Sequence, residues 1–145
     1  MNLVVDASMG LAWIFERQKH GEATLAEACL ACLAAPEVNA IVPSLWYIEV
    51  ANGLLVAERR RVATTAKITL FRAKLAALPI RCDEAAASVK IESALALARA
   101  HQLSVYDSTY LELAMRLGAG LASFDGALIA AANAVGVEVN HFARP

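Results

Sequence analysis

The sequence predicts an α/β protein in which helices cover both faces of a parallel sheet. Short apolar segments such as Leu3–Val5 and Leu121–Ser123 have the composition of buried strands. They alternate with longer segments whose apolar residues follow a helical spacing, a pattern typical of parallel α/β sheets. In addition, Asp6 and Asp125 come directly after the predicted strands or close to them, where parallel sheets carry their functional groups.

The first half of the chain is predicted to contain two strands and four helices. Ser8 is a candidate N-cap for a helix from Met9, and Gly21 breaks the chain before the second helix. Pro36 stops that second helix, and Pro43 introduces a third. In order, the predicted elements are strand Leu3–Val5, helix Met9–Arg17, helix Glu22–Ala34, strand Ala40–Val42, helix Leu45–Arg61 and helix Thr65–Leu78.

The second half is predicted to contain three strands and three helices. Asp83 is a candidate N-cap for a helix whose first turn is Glu84–Ala87, and Gly118 is a helix-ending glycine. No linker, repeat or low-complexity segment is visible, so residues 1–145 are predicted to form one domain. In order, the elements are strand Pro79–Cys82, helix Glu84–Ala100, helix Ser104–Leu117, strand Leu121–Ser123, helix Gly126–Ala134 and strand Val137–Val139.

The composition points to a protein of the cytoplasm. Hydrophobic residues make up 59% of the 145 residues, but no stretch approaches the roughly 20 apolar residues of a membrane span, and no signal-peptide pattern is expected. Cys29 and Cys32 form a C-x-x-C pattern within the alanine-rich segment Ala23–Ala35. We interpret them as packing residues in a reducing compartment, because the cysteine count of three is odd and no second pair accompanies them.

The charge pattern leaves two interpretations open for the basic cluster Arg59, Arg60 and Arg61. A net charge of −1 is unlike that of most nucleic-acid-binding proteins. Arginine nevertheless forms bidentate contacts with phosphate, so the cluster is a weak candidate for RNA binding. The same residues also suit the solvated end of a helix, where cations interact favourably with the helix dipole.

Four acidic residues are predicted to meet at one edge of the sheet. Asp6 and Asp125 follow strands, while Glu49 and Asp107 are predicted near the starts of helices. The carboxyl ends of parallel strands lie at the same edge of a sheet, and helix N-termini favour carboxylates. Asp6, Asp107 and Asp125 could each instead be a helix N-cap, but Glu49 follows bulky residues and has no good capping role.

A cluster of carboxylates without histidine or cysteine ligands favours a hard divalent cation, Mg²⁺ or Mn²⁺. Asn52 lies one helical turn after Glu49 and could support it, and Ser8 could orient the Asp6 carboxylate or a bound water. The chemistry that such a site predicts is phosphodiester hydrolysis. Neither a Gly-rich phosphate-binding loop nor a Ser–His–Asp arrangement is found in the sequence.

Taken in order, four short phrases resemble the PIN domain family, in particular its VapC-type toxin ribonucleases. Tyr106–Ala114 is similar to the third motif of that family, and Leu121–Asp125 to its fourth, where the family often has Thr-Leu-Asp. The first and second motifs are matched by Val5-Asp6-Ala7-Ser8 and by Glu49 with Asn52. The sequence departs from the family after Asp125, where Gly126-Ala127 stands in place of a frequent basic residue.

The resemblance implies a three-layer α/β/α sandwich and an endoribonuclease toxin that depends on Mg²⁺ or Mn²⁺. It also implies a homodimer that a cognate antitoxin protein holds inactive. Under this resemblance Asp6, Glu49, Asp107 and Asp125 are metal ligands or acids that position water, and Ser8 and Asn52 support them. The apolar faces of the helices Glu22–Ala34 and Thr65–Leu78 are candidates for the antitoxin groove.

Two other functions remain open at this stage. One is an inert PIN-like module that only binds RNA or a partner protein, although such a module would not need four mutually repelling acids. The other is a phosphotransfer enzyme of the receiver or haloacid dehalogenase type, with Asp6 as the nucleophile. These enzymes require a lysine at the end of a strand, which is not predicted here, and the dehalogenase type also has a second Asp at the position of Ser8.

Overall fold

The computed structural model describes residues 1–15, 19, 21–85 and 87–142, and it describes the backbone but not the side chains of Ala87 and Val89. Within these residues, four strands and seven helices alternate along the chain. In order, they are β1 (Asn2–Val5), α1 (Ala7–Ala12), α2 (Glu22–Cys32), β2 (Asn39–Val42), α3 (Leu45–Arg59), α4 (Thr65–Ala76), β3 (Ile80–Cys82), α5 (Ala87–His101), α6 (Val105–Leu117), β4 (Gly120–Ala122) and α7 (Gly126–Ala134).

The sheet is entirely parallel and has the strand order β3-β2-β1-β4. Its central strand is β1, which pairs with β2 on one side and with β4 on the other. The chain therefore builds outward from β1 to β3 and then crosses to the other side of β1 to form β4. This reversal opens a crevice between the carboxyl ends of β1 and β4, the position at which open α/β sheets bind ligands.

The seven described helices flank the central sheet and give the predicted α/β/α architecture. Leu3, Val4 and Val5 of β1 are buried because this strand is covered on both faces. In α6, Tyr110 and Leu111 are also fully buried. The α/β prediction is therefore confirmed, together with the alternation of strands and helices that led to it.

The local predictions differ from the structure at several element boundaries. The first helix begins at Ala7 rather than Met9, so Asp6 occupies the N-cap position and Ser8 lies inside the helix. The regular helix ends at Ala12, while residues 16 and 17 at its predicted end lie outside the described residues. The predicted last strand Val137–Val139 is reduced to a single bridge between Leu121 and Val139, with backbone hydrogen bonds between Leu121 and the residues on either side of Val139.

Helix α5 begins at Ala87 and not directly after Asp83 as predicted. The Asp83 side chain faces other partners, namely the side chains of Lys90 and Arg116. The Arg116 Nη2–Asp83 Oδ2 distance is 2.7 Å, and Arg116 Nε donates to Glu112 at 2.8 Å. Burial alone would raise the pKa of Asp83, but the hydrogen bonds from Lys90 and Arg116 hold it below its usual range. This charge network ties the end of β3 to α5 and α6.

We expect the substitution Asp83→Asn to lower the free energy of unfolding by about 2 kcal/mol at pH 7, because charge-assisted hydrogen bonds are lost. The pKa of Asp83 is lower in the folded protein than in the unfolded chain. Asp83 therefore stabilises the fold above its unfolded pKa of about 3.9, and this stabilisation is lost as the pH falls through the folded pKa. Urea unfolding of both proteins at pH 7 and near pH 3 measures this effect. The nearby exposed acid gives a control, Glu84→Gln, and equal midpoints for Asp83→Asn and wild type at pH 7 would refute the stabilising role.

Two further features concern the helices. Cys29 and Cys32 are free thiols buried in α2, and burial raises the pKa of both, which agrees with a packing role. Gly118 ends α6 as predicted, and its φ of 55° is the left-handed conformation that glycine adopts readily. No helix in the described part of the chain has both the length and the apolar character needed to cross a membrane.

Candidate metal-dependent nuclease site

The Asp6 carboxylate lies at the crevice between β1 and β4, where it is buried and held by two hydroxyl groups. Ser8 Oγ donates to Asp6 Oδ2 at 2.5 Å, and Ser123 Oγ donates to the same oxygen at 2.8 Å. The Asp6 residue is only 4% exposed. Burial raises the pKa of Asp6, and the hydrogen bonds from Ser8 and Ser123 only partly oppose this effect. A carboxylate whose charge is poorly solvated favours a bound cation.

Ser123 is a site residue that was not selected from the sequence, although the phrase Ser123-Phe124-Asp125 contains it. Its hydroxyl donates to Asp6 and accepts from the backbone N–H of Asp125 at 3.0 Å. Ser8 makes a second link, because its Oγ accepts from the backbone N–H of Phe124 at 2.9 Å. The two serines thus join the end of β1 to the loop that follows β4. The signal that could have identified Ser123 was its position directly after a strand, two residues before an acid.

Glu49 is the fifth residue of α3 and not part of its first turn, so it lies one step further along the helix than predicted. Its half-buried carboxylate accepts a hydrogen bond from the hydroxyl group of Tyr110 in α6. Burial raises the pKa of Glu49, and the negative charges of Asp6 and Asp107 raise it further, while the Tyr110 hydrogen bond opposes them. The carboxylates of Asp6 and Asp107 therefore each lie close enough to Glu49 to repel its charge.

The structure corrects one predicted alternative, because Asp107 does not cap its helix. The N-cap of α6 is Ser104, whose hydroxyl accepts from the backbone N–H of Asp107 at 3.0 Å. The same hydroxyl lies 2.6 Å from Asp107 Oδ2. Asp107 therefore lies in the first turn of the helix, where the dipole favours a carboxylate. Tyr110 and Leu111 on the same helical face are buried, so this face is directed towards the core.

Asp125 has the capping role that was considered for it. It is the N-cap of α7, and its Oδ1 accepts from the backbone N–H of Leu128 at 2.8 Å. Its backbone N–H is linked through the Ser123 hydroxyl to Asp6. Asp125 therefore lies beside the crevice, with one carboxylate oxygen used to stabilise the helix.

The remaining predicted site residues lie further from the crevice. Asn52 is exposed on α3 and makes no hydrogen bond with Glu49 in the described part of the chain. Arg59, Arg60 and Arg61 are exposed at the C-terminal end of α3. Ten residues separate Glu49 from Arg59, which corresponds to about 15 Å along a helix. Their role in RNA binding stays a prediction.

Tyr110 is a second residue that sequence reasoning did not select. Its hydroxyl group is the one that connects α6 to Glu49 of α3. Burial raises the pKa of Tyr110 well above its usual range, and the charge of Glu49 acts in the same direction. The hydroxyl group therefore keeps its proton and donates to the carboxylate.

The donors at this site match the preferences of a hard divalent cation, although they do not form a complete coordination set. Among residues 1–15, 19, 21–85 and 87–142, no group of three or more His, Cys, Asp or Glu side chains is arranged as a ready-made metal site. Burial and the charges of Asp6 and Asp107 nevertheless make the ionisation of Glu49 less favourable. Oxygen ligands of this kind suit Mg²⁺ or Mn²⁺, which also retain bound water.

By its fold and its acidic crevice, this protein is one of the α/β proteins that have carboxylates grouped at the carboxyl edge of a parallel sheet. The PIN domain family matches residues 3–134, and the chain therefore belongs to that family. Proteins of the PIN family are generally metal-dependent nucleases.

The structural comparison agrees with this assignment at the level of the fold. The crystal structure of PAE2754 from Pyrobaculum aerophilum is similar, with a TM-score of 0.66 and 18% sequence identity. The similarity covers 97% of this chain and 90% of the other. The comparison with curated proteins finds no match.

Proposed function

We propose that this protein is an endoribonuclease that depends on Mg²⁺ or Mn²⁺ and acts as the VapC-type toxin of a toxin–antitoxin pair. The observation that carries this proposal is the grouping of Asp6, Glu49 and Asp107 around the β1–β4 crevice of a PIN fold. Burial raises the pKa of Glu49, the charges of Asp6 and Asp107 raise it further, and a divalent cation would relieve both effects. RNA is the substrate that the family membership favours.

In this proposal Asp6, Glu49 and Asp107 hold the metal, and Asp125 contributes from the loop after β4. When bound, the metal supplies the activation of a water and the neutralisation of charge on the scissile phosphate. The chain itself keeps the carboxylates in place. Ser8 and Ser123 fix Asp6 from two sides, while Ser104 holds Asp107 at the start of α6. These hydroxyl groups limit the rotation of the ligands before the metal binds.

The basic cluster Arg59–Arg61 is proposed as a secondary contact for the RNA backbone. Its exposure permits contact with phosphate groups. At about 15 Å along α3 from Glu49, the cluster would bind phosphates several nucleotides away from the cleaved bond. Asn52 is proposed to support the site from the same helix, between Glu49 and the cluster.

The proposed partners are a cognate antitoxin and a second copy of the chain. An apolar groove of about 350 Å³ lies between α2 and α4, the two helices that were predicted to carry the antitoxin groove. Leu30 of α2 and Leu33 directly after it line one side, and Phe71 and Leu75 of α4 line the other. A partner helix with an apolar face fits such a groove. The RNA substrate and these partners imply a cytoplasmic protein.

A second function is favoured by two observations. The described residues contain no ready-made metal site, and Asp125 uses a carboxylate oxygen as a helix cap. Both facts suit an inert module that binds RNA or a partner protein without cleaving RNA. Such a module would bind RNA equally well in EDTA and in Mn²⁺ and would leave it intact.

Circular single-stranded RNA gives a direct test of endonuclease activity, because a circle has no end at which an exonuclease could start. We expect the purified protein to linearise the circle in Mn²⁺ and to leave a DNA circle of the same sequence intact. Gel mobility of the two circles measures the result. If the protein shortens linear RNA but leaves the circle intact, it is an exonuclease, and if it binds both without cleavage it is the inert module.

A further inference from the structure

Tyr110 connects two elements of the site that are far apart in sequence. It lies on α6, one helical turn after Asp107, and is 61 positions away in sequence from Glu49 on α3. The residue is fully buried, so its hydroxyl group cannot exchange its partner for bulk water. Removing one partner of such a bond leaves a buried polar group unsatisfied, which is costly. The bond therefore persists as long as α3 and α6 keep their positions.

The orientation of the Glu49 carboxylate depends on the hydrogen bond that the Tyr110 hydroxyl group donates. Within the described residues, Tyr110 donates the only hydrogen bond that Glu49 accepts, and it does so to Oε2. A glutamate side chain has three rotatable bonds, and fixing it costs conformational entropy. With Oε2 held by the phenol, Oε1 is the oxygen left for another ligand, close to the charges of Asp6 and Asp107.

The other two carboxylates of the crevice are held in the same manner. Asp6 accepts from Ser8 and Ser123, and Asp107 accepts from Ser104, in each case through Oδ2. Each carboxylate thus has one oxygen fixed by a hydroxyl group. Groups that fix metal ligands in this way typically change metal affinity by about 10- to 100-fold when they are removed.

We propose that Tyr110 is a positioning residue, whose hydroxyl group holds Glu49 in the orientation that binds a hard divalent cation together with Asp6 and Asp107. This inference rests on the proposed metal-dependent function. Tyr110 would then orient a metal ligand in addition to packing in the core. The alternative is that the ring fills the core and that the hydroxyl group only satisfies Glu49.

The test is Tyr110→Phe, which removes the hydroxyl group and keeps the ring. We expect Mn²⁺ affinity, measured by isothermal titration calorimetry, to fall by about 10- to 100-fold. Cleavage should require correspondingly more Mn²⁺, whereas the rate at saturating Mn²⁺ should recover most of the wild-type value. A purely structural role would lower stability and leave the Mn²⁺ dependence unchanged. Far-UV circular dichroism and urea unfolding verify that the variant is folded.

Two variants complete the design. Tyr47→Phe removes a phenolic hydroxyl group from a residue that is 45% exposed on α3, and its Mn²⁺ affinity should equal that of the wild type. In a Glu49→Gln background, Tyr110→Phe should cause no further loss of affinity, because both changes act through the same bond. Equal Mn²⁺ affinity of Tyr110→Phe and the wild type would overturn the inference alone. A wild type that binds no Mn²⁺ would overturn the proposed function with it.

Discussion

Asp6→Asn is expected to reduce RNA cleavage by about 10³-fold or more while leaving the fold intact. The change removes one charge from the centre of the crevice, where Asp6 is held by Ser8 and Ser123. Loss of groups that only support a metal ligand already costs about 10- to 100-fold, so the loss of a ligand should cost more. The rate of cleavage in saturating Mn²⁺ measures this effect. A variant with near wild-type activity would exclude Asp6 from the site.

The same substitution should raise the stability of the protein in EDTA or leave it level. The folded pKa of Asp6 is raised above its unfolded value, so ionisation is less favourable in the folded protein than in the unfolded chain. This penalty is absent below the unfolded value of about 3.9 and develops as the pH rises through the folded pKa. The advantage of Asn should therefore be greatest near neutral pH and disappear in acid.

Urea unfolding in EDTA at pH 7 and pH 3.5 tests this stability prediction. Glu37→Gln is a suitable control, because it removes one charge from an exposed residue at the opposite edge of the sheet, before β2. A large loss of stability for Asp6→Asn at pH 7 would mean that the Asp6 carboxylate stabilises the fold through its hydrogen bonds with Ser8 and Ser123. That result would remove the strongest support for a metal site.

The second large effect is expected at Gly10, where α1 packs directly against α3. A Cβ atom at this position would lie 2.8 Å from Cζ2 of Trp46, and Trp46 is buried and cannot move aside. We therefore expect Gly10→Val to lower the free energy of unfolding by about 3 kcal/mol or more, because overpacking forces the core to shift. Urea unfolding measures this loss.

Gly53→Val is the matched control on the facing helix. A Cβ atom at Gly53 would meet the end of the Leu11 side chain, which is only half-buried and can rotate away. The same substitution should therefore cost less there than at Gly10. Equal losses would show that the rigidity of Trp46 does not determine the packing of α1 on α3.

The helix contact at Gly10 also matters for the site. Asp6 is the N-cap of α1, and Glu49 lies one turn before Gly53 on α3. The close approach of these helices sets the separation of the two carboxylates. Any folded Gly10→Val protein should therefore cleave RNA more slowly than a folded Gly53→Val protein at the same temperature.

Most of the sheet and its helices could be predicted from the sequence because local patterns determine them. Leu3–Val5 is apolar and ends at an acid, and Gly118 ends its helix as predicted. The element boundaries that differed depend on distant residues. Asp83 was expected to cap a helix but pairs with Lys90 and Arg116, and no local pattern shows that pairing. The prediction of a last strand at Val137–Val139 was wrong, because this segment forms only one bridge, between Leu121 and Val139.

The candidate site likewise contains features that local sequence patterns predict and features that depend on contacts between distant residues. The positions of Asp6 and Asp125 after strands could be predicted, because the carboxyl ends of parallel strands share one edge. The hydrogen bond from Tyr110 to Glu49 could not, because it joins residues 61 positions apart and depends on how α3 and α6 pack. Ser123 was visible in its motif, but its donation to Asp6 depends on the pairing of β1 with β4.

The most direct test of the central claim is the cleavage of circular RNA by the purified protein in Mn²⁺ and in EDTA, with Asp6→Asn alongside. Linear product in Mn²⁺ is expected for the wild type, and no product is expected in EDTA or from the variant. Cleavage that persists in EDTA, or that Asp6→Asn retains, would contradict a metal-dependent nuclease site at the β1–β4 crevice.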